Sequence, residues 1–127
     1  MISRKEARRT ALTLLYQWDL TRQPLASLFE GEVDPFATEL AAKVIDRADA
    51  LDARITEASI EWPADRLGVV ERAALRMAIV ELDENEVPRE VAINEAVALA
   101  KRFASHEASK LVNGILGRIT QDLPNTR

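Results

Sequence analysis

Residues 69–82 read VVERAALRMAIVEL, and this stretch decides the fold. Only Glu71, Arg72, Arg76 and Glu81 are charged, and on a helix the apolar residues occupy nearly every side. A helix of that character cannot lie on a surface, so the rest of the chain has to be organised around it. Glu81 is the exception within it. At about 100° per residue it falls between Ala74 and Met77, close to Val70. A carboxylate there must pair with a cation of a neighbouring helix or sit at the rim of a contact surface.

Upstream, Asp65-Arg66-Leu67-Gly68 is a short turn, and Trp62-Pro63 ends a long run that begins at Asp34-Pro35. There Asp caps and Pro takes the first helical position. Leu40, Val44, Ala48, Leu51 and Ile55 recur at threes and fours, and the run is long enough to break into two helices near residues 47–52. Residues 3–21 contain neither Gly nor Pro; Ser3 is the expected N-cap and Pro24 the stop. Downstream, DENEVP (83–88) reads as an acidic loop and REVAINEAVALAKRF (89–103) as a helix. Ser105 caps a last helix over roughly residues 107–120, stopped by Pro124. No segment alternates with period two and none repeats. The expected fold is all-α: a compact bundle of six or seven helices forming a single domain over residues 1–127. Its core should include Leu14, Leu15, Trp18, Met77, Ile93, Val97, Phe103, Leu111, Ile115 and Ile119.

Composition agrees with this. The 127 residues are 47% hydrophobic and 30% charged, enough for one globular core, and the low aromatic content with only 4 glycines favours helices over sheets. There is no cysteine, which excludes disulfides and thiolate metal sites. No apolar run approaches the ~18 residues of a membrane span, and MISRKEARRT has no signal-peptide hydrophobic segment, so a soluble cytoplasmic protein without a membrane partner is expected. The net charge of -4 is uneven. Residues 1–22 carry five basic groups against two acidic, residues 23–100 seven against seventeen, and residues 101–127 five against two. Basic ends and an acidic middle point to two different kinds of partner surface.

The opening helix concentrates Arg4, Lys5, Arg8 and Arg9 where the macrodipole disfavours cations, each by ~0.3–1 kcal/mol. Ala7, Ala11, Leu14, Leu15 and Trp18 form its core stripe. Lys5, Arg9, Leu12 and Tyr16 share a second arc of roughly 60°. Cations that hold phosphates beside a ring that stacks on bases are the means by which single-stranded RNA is bound. The alternative is a half-buried Tyr16 with solvated cations. In the last helix Gly114 and Gly117 share a face with Lys110 and Asn113, a small, partly basic surface that admits a neighbouring helix, a partner chain or an RNA backbone. Lys110 and Arg118 join the candidate RNA contacts. Nothing resembles a catalytic carboxylate pair, a Ser/His pair, a metal cluster or a phosphate loop, and His106 sits where a capping or solvated role is usual. No catalytic residue, metal or cofactor is therefore expected, and the protein is not read as an enzyme.

Together, ARRTALTLLYQWDL (7–20), ERAALRMAIVEL (71–82), VPREVAINEAVALAKRF (87–103) and KLVNGILGRI (110–119) resemble the NusB family in order and spacing. Residues 91–101 with Val112-Asn113-Gly114 are the most specific part, and residues 25–61 the weakest. The resemblance implies two small helical bundles packed together and a role in antitermination of ribosomal RNA transcription. It implies pairing with NusE, a small-subunit ribosomal protein, within a transcription complex, and binding of boxA-type single-stranded RNA. Arg4, Lys5, Arg8, Arg9 and Tyr16 would face RNA. Glu81 would face NusE, with Asp83 and Glu84 of the acidic loop adding charge complementary to a basic partner. One departure is Gly117, where many relatives have an acidic residue. Alternatives are a NusB-like domain related to that of RNA cytosine methyltransferases and a helical adaptor without RNA; a homodimer is an alternative assembly.

Overall fold

The computed structural model describes residues 2–123. Six α-helices and no strand occur among them: α1 (Arg4–Thr21), α2 (Pro35–Asp46), α3 (Ala48–Ala58), α4 (Val69–Glu84), α5 (Arg89–Phe103) and α6 (His106–Gln121), with short 3₁₀ turns at Leu25–Leu28 and Ala64–Arg66. The local signals place the boundaries. Ser3 Oγ accepts from the Glu6 amide, Asp34 from that of Phe36 with Pro35 following, and Ser105 Oγ from that of Ala108. The long second run breaks at Arg47, a single residue between α2 and α3. Helix α1 ends at Thr21, as its Gly- and Pro-free run indicates, where Arg22 turns left-handed. One end differs from expectation. Helix α4 continues through Asp83 and Glu84 and is closed by left-handed Asn85, so these two carboxylates stand on a helical turn and not in a loop. The stop expected at Pro124 lies outside the described residues.

The six helices fall into two chain halves of three, and α4 is the seam between them. It packs against α1, α2, α3, α5 and α6. From Ala73 to Leu82 every residue of α4 is buried, as its all-round apolar character requires. The cluster continues through Leu14 and Leu15 of α1, Val44 of α2, Leu51 and Ile55 of α3, and Val112, Ile115, Leu116 and Ile119 of α6. Ile93, Val97 and Leu111 pack against it half-buried.

Two side chains depart from their expected places. Leu12, assigned to the arc of Lys5 and Tyr16, is buried, because α1 is flanked by both α2 and α4 and its buried arc is wider than one stripe. Phe103, expected in the core, is 45% exposed. Its angle on α5 matches that of buried Ala92, Ala96 and Leu99, but it is the last helical residue and the face has run past its partners. The tryptophans contrast: Trp18 is buried, whereas Trp62, before the Ala64–Arg66 turn, is half exposed. No described helix is long and apolar enough to cross a membrane.

Candidate nucleic-acid interface

The cations of α1 have different fates. Arg8 is buried and forks onto Glu81 of α4, with Nη2 2.7 Å from Oε1 and Nε 3.0 Å from Oε2. Its Nη1 lies 3.4 Å from Glu95 of α5. These hydrogen bonds to Glu81 raise the guanidinium pKa further above its ordinary value, against the opposing effect of burial and with help from the charges of Glu81 and Glu95. The resemblance places Arg8 toward RNA and Glu81 toward a protein partner, while the position of Glu81 on its helix offers pairing with a neighbouring helix's cation as the other reading. The fold makes that pair, with Arg8 as the cation. The geometric role of a bidentate buried pair of this kind is to set α1 against α4.

The others reach the surface. Arg4 stacks over the Phe36 ring of α2, 4.0 Å from its centroid. Lys5 is exposed and pairs at 3.6 Å with Glu95. Arg9 has no ion-pair partner among the described residues, and Tyr16 is exposed two turns further along the helix. Lys5, Arg8 and Arg9 border a cleft of about 170 Å³ whose other wall is Glu95, Ala98, Leu99 and Arg102 of α5. Arg102, on α5, lies outside the arc of the opening helix, and its i, i+3, i+4, i+7 spacing puts it on one face with Glu95, Ala98 and Leu99.

On α6, Lys110 is exposed, but half-buried Arg118 donates its Nε–H to the Ala58 carbonyl at the end of α3. That contact ties α6 to α3 and leaves the guanidinium only partly available. Gly114 and Gly117 do not mark close approach within the chain, because a Cβ at Gly117 would meet nothing within 4 Å and one at Gly114 only the tip of Arg118. The acidic edge is also internally paired. Asp83 takes Arg47 at 2.5 Å and Arg54 at 2.7 Å, and Glu84 takes Lys43 at 2.6 Å, whose ammonium pKa is raised chiefly by that hydrogen bond.

A second ionic cluster was missed in the sequence. Asp19, near the end of α1, accepts from Arg72 of α4 and lies 3.1 Å from Arg22 and 3.5 Å from Arg76. Arg76, 1% exposed, forks onto Asp52 of α3 at 2.7 and 2.8 Å. Burial pushes the Asp19 carboxyl up, but the hydrogen bonds and charge of Arg72, with the charges of Arg76 and Arg22, outweigh it and hold the pKa below the ordinary value. Arg22 and Arg76 also flank the Trp18 ring, at 4.1 and 5.8 Å from its centroid. The signal was there to read: Asp19 in a helix's last turn and Arg72 in another's first are each at the wrong pole of the macrodipole.

An all-helical fold built round one buried helix, with a cation-lined cleft beside an exposed tyrosine, defines a helical binding protein. Residues 5–121 match the model of the NusB family, and the chain belongs to that family. It is 41% identical over 127 residues to a transcription antitermination protein NusB of an Exiguobacterium species, covering 95% of this chain and 99% of that one. It is 38% identical to the transcription antitermination protein NusB of Bacillus subtilis, covering 96% and 98% of the two chains. Among solved structures, the antitermination factors NusB and NusE in complex with double-stranded RNA give a TM-score of 0.83 at 31% identity, covering 94% of this chain and 97% of that one.

Proposed function

We propose that this chain is an RNA-binding transcription antitermination factor that joins a NusE partner and binds boxA-type single-stranded RNA of ribosomal transcripts in the cytoplasm. It acts by binding and not by catalysis, as one folded unit. The observation that carries the reading is the likeness, across nearly the whole chain, to a NusB solved together with NusE and RNA. The exposed arc of α1 supports it: Lys5 and Arg9 supply phosphate contacts and Tyr16 a stacking or edge contact, with Arg4 and Lys110 as further cations. Arg8 and Glu81 serve from within, by orienting α1. The partner edge is formed by Asp83 and Glu84 with the cations they hold, beside Glu81, which lines the same cleft as Glu84.

Fluorescence anisotropy with a labelled boxA-type RNA tests this. The chain with NusE is expected to bind that RNA more tightly than either protein alone and more tightly than a scrambled sequence. Equal affinity for boxA-type and scrambled RNA in the presence of NusE would falsify the reading.

A further inference from the structure

The cleft between α1 and α5 holds charges that are not equivalent. Arg8, at its floor, is satisfied by Glu81, and Lys5 is engaged by Glu95. Arg9 of α1 and Arg102 of α5 have no carboxylate partner among the described residues, yet both border the same space. Arg102 lies over the ring of exposed Phe103, 5.4 Å from its centroid, a contact that restrains the guanidinium. Between the cations the wall is apolar, Ala98 and Leu99, with Glu95 the single lining carboxylate. Two uncompensated guanidinium groups from two helices thus border one space, and each carries the planar fork of N–H donors that matches a phosphate.

We propose that this cleft seats a backbone phosphate of the bound RNA, with Arg102 as a contact outside the opening helix. Glu95 is its internal competitor, holding Lys5 until a phosphate replaces the carboxylate. The proposal rests on the RNA-binding reading above and adds a second helix to the interface. An RNA strand, and not a free anion, is the occupant, because Lys5 and Arg9 share the arc of α1 that carries exposed Tyr16. Glu95 can release Lys5 without stranding Arg8, which keeps its hydrogen bonds to Glu81.

Salt-dependent titration of the labelled boxA-type RNA with the chain and NusE separates the possibilities, with circular dichroism confirming that each variant is folded. Arg102→Ala is expected to weaken binding about tenfold, as for loss of a charge-assisted hydrogen bond, and to lower the slope of log K against log salt by ~0.7. Glu95→Gln is expected to tighten binding about two- to fivefold, the scale of one exposed charge pair, a gain that misfolding cannot produce. If a Lys5→Ala/Arg9→Ala variant weakens binding while Arg102→Ala leaves affinity and slope unchanged, the cleft is not a seat and the RNA reading stands. If the Lys5→Ala/Arg9→Ala variant is also without effect, the RNA face itself is wrong. Weakening by Arg102→Ala with no gain from Glu95→Gln keeps the seat and overturns the competitor role. Inorganic phosphate is expected to displace RNA from the parent better than chloride at equal ionic strength, and an equally large phosphate effect on the Arg102→Ala variant would overturn the proposal.

Discussion

Arg8 shows how far a charge can be from the role its neighbours in the basic run indicate, whereas the place of Glu81 among apolar residues of its helix already calls for a cation on a neighbouring one. Their real partners are each other, 73 residues apart in sequence. Breaking such a pair leaves a buried charge alone, so Glu81→Ala should cost ~3–5 kcal/mol in chemical denaturation, whereas Arg8→Met with Glu81→Leu should recover most of that loss. The result to look for against this is a Glu81→Ala protein as stable as the parent, which would mean that the two side chains face solvent. An effect of a Glu81 variant on partner binding has therefore to be measured beside its effect on folding.

At the scale of elements, most of the fold was legible. Ser3, Asp34-Pro35 and Ser105 mark helix starts by chemistry confined to one turn, and the apolar band of α4 announces its burial. What could not be read depends on the height and number of neighbours: Phe103 has the right angle on α5 but no partner at its level, and Leu12 is covered because α1 has helices on two sides. The site was legible in the same degree. Periodicity grouped Lys5, Arg9 and Tyr16 on one exposed arc, but not the α5 wall that faces the first two, since that requires knowing which helices meet. Helix α6 supplies a test of its own. Gly117 is helical with open space where a Cβ would stand, so Gly117→Ala should stabilise the isolated chain by ~0.8–1.0 kcal/mol, seen as a raised melting temperature. An unchanged or lowered value would show that the position is crowded.

Over the whole molecule, the cluster of Asp19, Arg72, Arg76 and Asp52 fastens α1, α3 and α4 together, and Arg72 also bonds the Ala64 and Leu67 carbonyls of the connecting segment. Asp19 has a folded-state pKa below its unfolded value, so its contribution is complete above the unfolded pKa of ~3.9 and is lost as pH falls through the folded one. Melting temperature measured from neutral pH downward should thus drop in the acid range. Asp19→Asn should start lower and fall less steeply, so that the two curves converge; parallel curves would remove Asp19 from the acid response. The same cluster has a practical consequence for observing the protein. Trp18 is clamped between Arg22 and Arg76, while Trp62 is open to water, so the chain carries two optical reporters with separate addresses. A collisional quencher reaches the second and spares the first, and with Trp62 changed to Phe the remaining emission follows one event alone, the seating of the opening helix on the central one.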